Sequence, residues 1–208
     1  MATRDTNENR PLNRWDERYA HDHYHFGTEP NGFLADVSGR LTPGRALCIA
    51  DGEGRNSVSL AEQGHTVSAM DASVVGMRKA NRLAAERGVE IETEVADLTE
   101  YEFGVERWDL IVSIFCHLPP DLRRDVHRRA VVGLRPGGAI LLEAYTPDQL
   151  RYGTGGPPVR DLLMTLEDLR EDFAGLDMEI GREIVRDVVE GSGHRGEAAV
   201  VQVLARKR

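Results

Sequence analysis

The chain has 208 residues, 40% of them apolar, and its 26 Lys and Arg against 35 Asp and Glu give a formal net charge of −9. That length can bury the core of one domain, and the acid excess excludes a general nucleic-acid binder, which concentrates Lys and Arg to neutralise phosphates. No apolar run reaches the length of a membrane span; the two cysteines, Cys48 and Cys116, lie in apolar runs, and with no secretory signal the expectation is a cytoplasmic protein with buried thiols.

Residues 1–11 are polar and aperiodic, which reads as a disordered tail. Residues 12–20 have helical spacing that puts Trp15 and Tyr19 on one face and Arg14 and Arg18 on another ridge. His21, His23 and His25 alternate along the next stretch, but no acid or cysteine joins them to complete a metal site, so no metal is expected. Residues 30–37 suggest a short helix, and Thr42-Pro-Gly44 punctuates the entry to the run Arg45-Ala-Leu-Cys-Ile49. That buried strand ends at Gly52-x-Gly54 and feeds a helix from Asn56 or Ser57 to Gln63, leaving backbone N–H groups where a ligand can approach. A second strand, residues 66–70, delivers Asp71, a carboxylate placed for the hydroxyls of a ribose. The pattern fits a dinucleotide or S-adenosylmethionine.

Residues 72–87 read as a helix closed by Gly88, and 89–95 alternate like a strand near the sheet edge. Residues 108–115 are apolar nearly throughout, as a central fourth strand covered on both faces would be, and carry Ser113 to His117 into the crevice. A helix over 121–132, a turn at Arg135-Pro-Gly-Gly138 and a fifth strand over 139–145 follow, with Glu143 and Tyr145 on one crevice side as substrate contacts. The glycine-rich stretch 152–158 is either a closing loop or a plain linker. Thr165 and Asp168 form a near capping box for a last helix, and strands over 178–189 and 197–205 make a terminal hairpin. The arginines at 123, 124, 128 and 129 and the tail 206–208 read as solvated faces.

Taken in order, Gly52-x-Gly54, Asp71, Ala96-Asp97-Leu98, Asp109-Leu-Ile-Val-Ser113 and Leu134-Arg-Pro-Gly-Gly138 resemble the motifs of class I S-adenosylmethionine-dependent methyltransferases. Within that superfamily the chain resembles the small bacterial tellurite-resistance and thiopurine group over nearly its whole length; the ordered set is specific, each motif alone weak. Two positions depart from the pattern: Cys48 stands where the family has an acid, and Ala50 where it has its first glycine, with Asp51 the adjacent carboxylate.

The resemblance implies an α/β fold, a doubly wound, seven-stranded, mostly parallel sheet with a C-terminal antiparallel hairpin, forming one domain over 12–208 with 12–31 as a lid. It implies S-adenosylmethionine as cofactor. Trp15, Arg18 and Tyr19 would close over it, Ala50, Asp51, Gly52, Gly54 and Asn56 would form the turn beneath it, and Asp71, Ala72, Ser73, Ala96, Asp97, Leu98 and Ser113 would hold the adenosine, Asp97 beside the adenine amine unless it caps the turn at 98–100. His117 and Tyr145 are the catalytic candidates, His117 alternatively ordering the loop before Pro119. The expected reaction is direct displacement onto a small-molecule acceptor, a soft sulfur, selenium or tellurium nucleophile needing almost no base, by a monomer or homodimer. The alternatives are a degenerate cofactor-binding relative without catalysis and a nicotinamide-dependent oxidoreductase.

Overall fold

The computed structural model describes residues 14–208, so the expected tail lies outside the described residues. Seven strands run β1 (Arg45–Ile49), β2 (Thr66–Asp71), β3 (Glu92–Val95), β4 (Trp108–Ile114), β5 (Leu134–Tyr145), β6 (Leu176–Glu190) and β7 (His194–Lys207). They form one sheet in the order β3-β2-β1-β4-β5-β7-β6. β1 to β5 pair in parallel, and β7 runs antiparallel to both β5 and β6. The expected doubly wound sheet with a terminal hairpin is borne out.

The helices are α1 (Arg14–Tyr19), α2 (Gly32–Val37), α3 (Arg55–Glu62), α4 (Val74–Arg87), α5 (Pro120–Gly133) and α6 (Leu166–Asp172). They cover both faces, which is why the central strands are apolar on both sides. Leu47, Ile49, Ile111, Ile140 and Leu142 point into one core layer, while Ala46, Cys48, Leu110, Val112 and Leu141 point into the other. Cys48 and Cys116 are both buried and free.

Several boundaries differ from expectation, β6 and β7 among them, and three of the shifts have a local cause. β3 starts at Glu92 because the backbone N–H of Val89 is spent on Ala84 O at 3.0 Å, closing the end of α4. β5 starts at Leu134, which pairs with Trp108 before the register shifts to Leu110 opposite Ala139. α3 begins at Arg55, since left-handed Gly54 (φ 92°) turns the chain directly into the helix without a side-chain cap. The capping box at Thr165 and Asp168 forms with both its bonds.

Candidate functional site

Strand order reverses between β1 and β4, the place where doubly wound sheets open a crevice at their carboxyl ends. Register aligns Ile49 with Met70 on one side and with Ser113 on the other, and Asp71 with Val95. The turn after β1, Ala72, Ala96 and Phe115 therefore emerge side by side along one edge.

The turn itself alternates hands: Ala50, Gly52 and Gly54 have φ of 48°, 63° and 92°. Glycine adopts such angles freely, whereas an L-residue there costs about 1–2 kcal/mol. A Cβ on Gly52 would lie 2.6 Å from the Tyr19 hydroxyl, and one on Gly54 2.6 Å from the Ala80 backbone. Gly52 thus makes room for Tyr19 of α1, and Gly54 for α4.

Asp71 is buried, its Oδ2 accepting from Gly52 N at 2.9 Å and its Oδ1 from Ser73 N at 2.8 Å. The expectation of a free backbone N–H at Gly52 is therefore corrected: strand two's carboxylate already takes it. Ala72 N adds a third backbone bond, and since a carboxylate has about four lone-pair sites, little acceptor capacity is left for a ribose beyond a single bond. Burial raises the Asp71 pKa against the pull of those bonds.

Asp51 is also buried; its Oδ2 accepts from Ser57 Oγ at 2.5 Å, while its Oδ1 meets no partner. Burial, reinforced by neighbouring Asp71 and opposed by Ser57, pushes its carboxyl up to about 6. The Cys48 thiol is pushed up by burial and then by Asp51, so it stays neutral.

The segment from α1 to Asn31 lies across this turn. Tyr19 is buried, and burial, then Asp71 and Glu53, raise its phenol. Half-buried Trp15 stacks on it at 5.7 Å, and exposed Arg18 sits 5.1 Å above Trp15. Asp16 accepts from Ser73 Oγ at 2.6 Å and from Val75 N at 3.2 Å, anchoring α1 on the start of α4. Lys79, buried in α4, pairs with Glu53 and donates to the carbonyls of His21 and His23 at 2.9 and 2.7 Å. Glu53 in turn accepts from His25 N at 2.7 Å. At the far end of the segment, Asn31 N donates to Asn56 Oδ1 at 2.9 Å.

The other expected positions are distributed as follows. Ser73 caps α4 through Gly76 N, Ala96 N bonds Asp71 O, Leu98 joins the core, and Ser113 is buried. Asp97 is exposed, its Oδ1 accepting from Thr99 N and Oγ1 at 2.8 and 2.7 Å. Its carboxylate thus caps the turn. His117 Nδ1 contacts Leu162 O at 2.8 Å and its Nε2 accepts from Tyr145 N at 3.4 Å, so its ring fixes two loops. Phe115 and His117 each stack on Tyr145, at 4.6 and 5.6 Å between centroids. Burial raises the Tyr145 phenol and pushes the Cys116 thiol up to about 12.

Glu143 is a correction: it is no substrate contact. It is fully buried, gripped by Arg186 Nε and Nη2 at 2.7 Å each, by Gln202 at 2.9 Å and by Asn31 at 2.5 Å. Glu190 joins this network through Arg186, Asn31 and Arg55. Lys79, Glu53 and Asp16 were missed in the sequence; a lysine on the stripe of α4 that also carries Met77, Ala80 and Leu83 was the one available signal.

A sheet of this order, with a glycine turn and an acid at the next strand tip on its switch point, defines the class I methyltransferase fold. Residues 46–138 match the family model described as a methyltransferase domain, as the sequence motifs led one to expect. The chain is 29% identical over 113 residues to the 2-heptyl-1-hydroxyquinolin-4(1H)-one methyltransferase of Mycobacteroides abscessus, and this alignment spans about half of each protein. Among solved structures it is similar to one described for conversion of a disulfide bond into a thioacetal group during echinomycin biosynthesis, with TM-score 0.74 and 20% identity over 92% of this chain and 87% of that one. TehB from Haemophilus influenzae is similar at TM-score 0.70 and 21% identity, over 93% of this chain and 66% of that one.

Proposed function

We propose that the chain transfers a methyl group from S-adenosylmethionine to a small-molecule acceptor held between the lid and the ends of β4 and β5. The observation that carries this reading is the charge of the crevice. Asp51, Asp71 and Glu53 converge on one turn, against the cations of Lys79, which pairs with Glu53, and Arg55, which lies near Asp51. Such a lining suits a ligand with an ammonium and a sulfonium, and it repels the pyrophosphate of a nicotinamide dinucleotide. The unpartnered Asp51 Oδ1 fits the ammonium at the amino-acid end of the cofactor.

When bound, S-adenosylmethionine supplies an electrophilic methyl group on its sulfonium. The protein's part is alignment and exclusion of water. Asp71 keeps acceptor capacity for a single bond from the ribose, with Ala72, Ala96, Leu98 and Ser113 beside the adenosine. Trp15, Tyr19 and Lys79 hold the segment that covers it. Phe115, His117 and Tyr145 form an aromatic wall for the acceptor. His117 positions that wall, its nitrogens turned to Leu162 O and Tyr145 N, and Tyr145 stays protonated because burial raises its phenol.

With no ordinary base presented at the wall, the acceptor is a nucleophile that needs none, a soft sulfur, selenium or tellurium centre, whose polarisability also favours aromatic neighbours. Two buried free thiols suit a reducing, cytoplasmic setting. The test is release of S-adenosylhomocysteine with a panel of thiols, selenite and tellurite set against the hydroxyquinolone named for the mycobacterial relative. Turnover of the chalcogen acceptors supports the reading. Turnover of the hydroxyquinolone alone refutes the soft acceptor, and stabilisation by NAD but not by S-adenosylmethionine refutes the methyltransferase.

A further inference from the structure

The side chain of Tyr145, the last residue of β5, is buried, and Phe115 from the end of β4 stacks on its ring. Burial raises its phenol and Glu190 and Glu143 add to the rise, while Arg186 and, from the glycine turn, Arg55 oppose it. The ring therefore reaches from β5 across the crevice toward that turn. What covers it there is backbone: a Cβ on Gly156 would lie 2.6 Å from Tyr145 Cδ2.

Gly156 belongs to the stretch 152–158, in which Gly153, Gly155 and Gly156 have φ of 64°, 147° and 85°. The flanking main-chain bonds run from Tyr152 N to Gln149 O at 3.0 Å and from Leu162 N to Val159 O at 3.1 Å. Between them, side chains hold the stretch down. Buried Gln149 donates from Nε2 to Thr154 Oγ1 at 3.0 Å and to Gly155 O at 3.1 Å, and its Oε1 accepts from Ala199 N of β7 at 2.9 Å. Thr154 Oγ1 donates in turn to Glu197 O at 2.7 Å. One buried amide thus ties a glycine loop to the terminal hairpin, directly over a ring that an acceptor has to reach.

We propose that residues 153–156 are the gate of the acceptor site: the acceptor takes the face of Tyr145 that Gly156 covers, and Gln149 and Thr154 are positioning residues that hold the gate shut while the site is empty. This rests on the reading above that Phe115, His117 and Tyr145 form the acceptor wall. Gly156 caps the ring with peptide instead of locking it with a side chain, and three glycines let the backbone swing at little steric cost. An acceptor on that face displaces the loop and breaks its side-chain bonds, so those bonds weaken acceptor binding. A flat group suits the vacated face, because aromatic rings stack in offset.

The test measures release of S-adenosylhomocysteine by the whole chain with thiophenol, a flat and soft thiol, above the enzyme-free rate. Thr154→Val removes the hydroxyl between Gln149 and Glu197 O. Gly156→Ala presses a methyl group on the ring and puts an alanine in the left-handed region. Both favour the raised loop, by unrelated means. Each lowers the KM for thiophenol by about 3–10-fold, the size of one net hydrogen bond, while the KM for S-adenosylmethionine holds. The ratio kcat/KM rises and kcat does not, as for a change in ground-state binding alone. Hydrogen exchange over residues 152–160 is faster in both, and Thr154→Ser, which keeps the hydroxyl, behaves as wild type. A loop that serves stability alone gives the opposite sign, a raised KM or a lost kcat. A thiophenol KM unchanged or raised in either variant, exchange no faster, or a Thr154→Ser variant as altered as Thr154→Val overturns the gate alone. A wild type that does not turn over thiophenol overturns the acceptor wall, and the gate with it.

Discussion

Replacing Asp51 by Asn stabilises the ligand-free protein at neutral pH, although it removes a residue from the site. The Asp51 carboxyl is raised from 3.8 to about 6, chiefly by burial. An acid whose folded-state value lies above its unfolded one favours folding when protonated. Its contribution is therefore most favourable below about pH 4 and is lost as pH rises through about 6. The shift of about 2 units is worth about 3 kcal/mol at pH 7, by 1.36 kcal/mol per unit. The asparagine amide keeps an acceptor for Ser57 but buries unpaired N–H donors, which returns about 1–2 kcal/mol. The net gain is about 1 kcal/mol, or roughly 2–4 °C in Tm for a domain of this size. Scanning calorimetry from pH 4 to pH 8 checks it: the difference between variant and wild type should grow with pH across about 5–6. A variant less stable than wild type at pH 7, or a difference independent of pH, refutes the claim that Asp51 is buried and charged against its environment.

Ala50→Gly relieves a left-handed alanine (φ 48°) and, after the extra chain entropy of glycine, should raise stability by about 0.5–1 kcal/mol without weakening S-adenosylhomocysteine; a lower Tm contradicts it. Asp71→Ala leaves the buried N–H groups of Gly52 and Ser73 without acceptors and should cost about 1–3 kcal/mol in both stability and cofactor affinity, read by denaturant unfolding and calorimetry. Lys79→Met strands buried Glu53 and should cost about 3–5 kcal/mol, with Glu53→Gln added in the double variant restoring part of it. In that double variant, hydrogen exchange at residues 19–25 should still be faster than in wild type, because the carbonyls of Tyr19, His21 and His23 have lost their shared donor.

Sequence reasoning succeeded where a rule acts over a few residues. Strand β4 is apolar because it is covered twice, Gly88 closes α4 in the left-handed region, and Thr165 with Asp168 starts α6 by a reciprocal bond that spacing alone predicts. It failed where the partner lies far along the chain. Glu143 ends a strand on the crevice side by register, yet Arg186 and Gln202 on the hairpin and Asn31 from the lid converge on its carboxylate, and no local pattern announces that. Gly52 was legible as a close approach, but the group approaching is Tyr19 from α1.

The case for the site stands on more than resemblance, because unfavourable features gather there. Among the described residues, three non-glycine residues have positive φ: Ala50, Phe115 and Glu106. Glu106 lies in an exposed turn closed by Val132 O and marks nothing, so backbone strain alone does not locate a site. Ala50 and Phe115 are different. They end β1 and β4, the two neighbouring strands between which the order reverses, and beside them stand Asp51 and Arg55 with buried polar atoms unpartnered. A fold that satisfies its caps, hairpin and ion pairs elsewhere would not keep two strained backbones and two orphaned charged atoms on one edge for stability's sake. A ligand bound in the crevice would offset these features. Ligand binding should therefore stabilise this chain by more than contact with a preformed, self-satisfied crevice would.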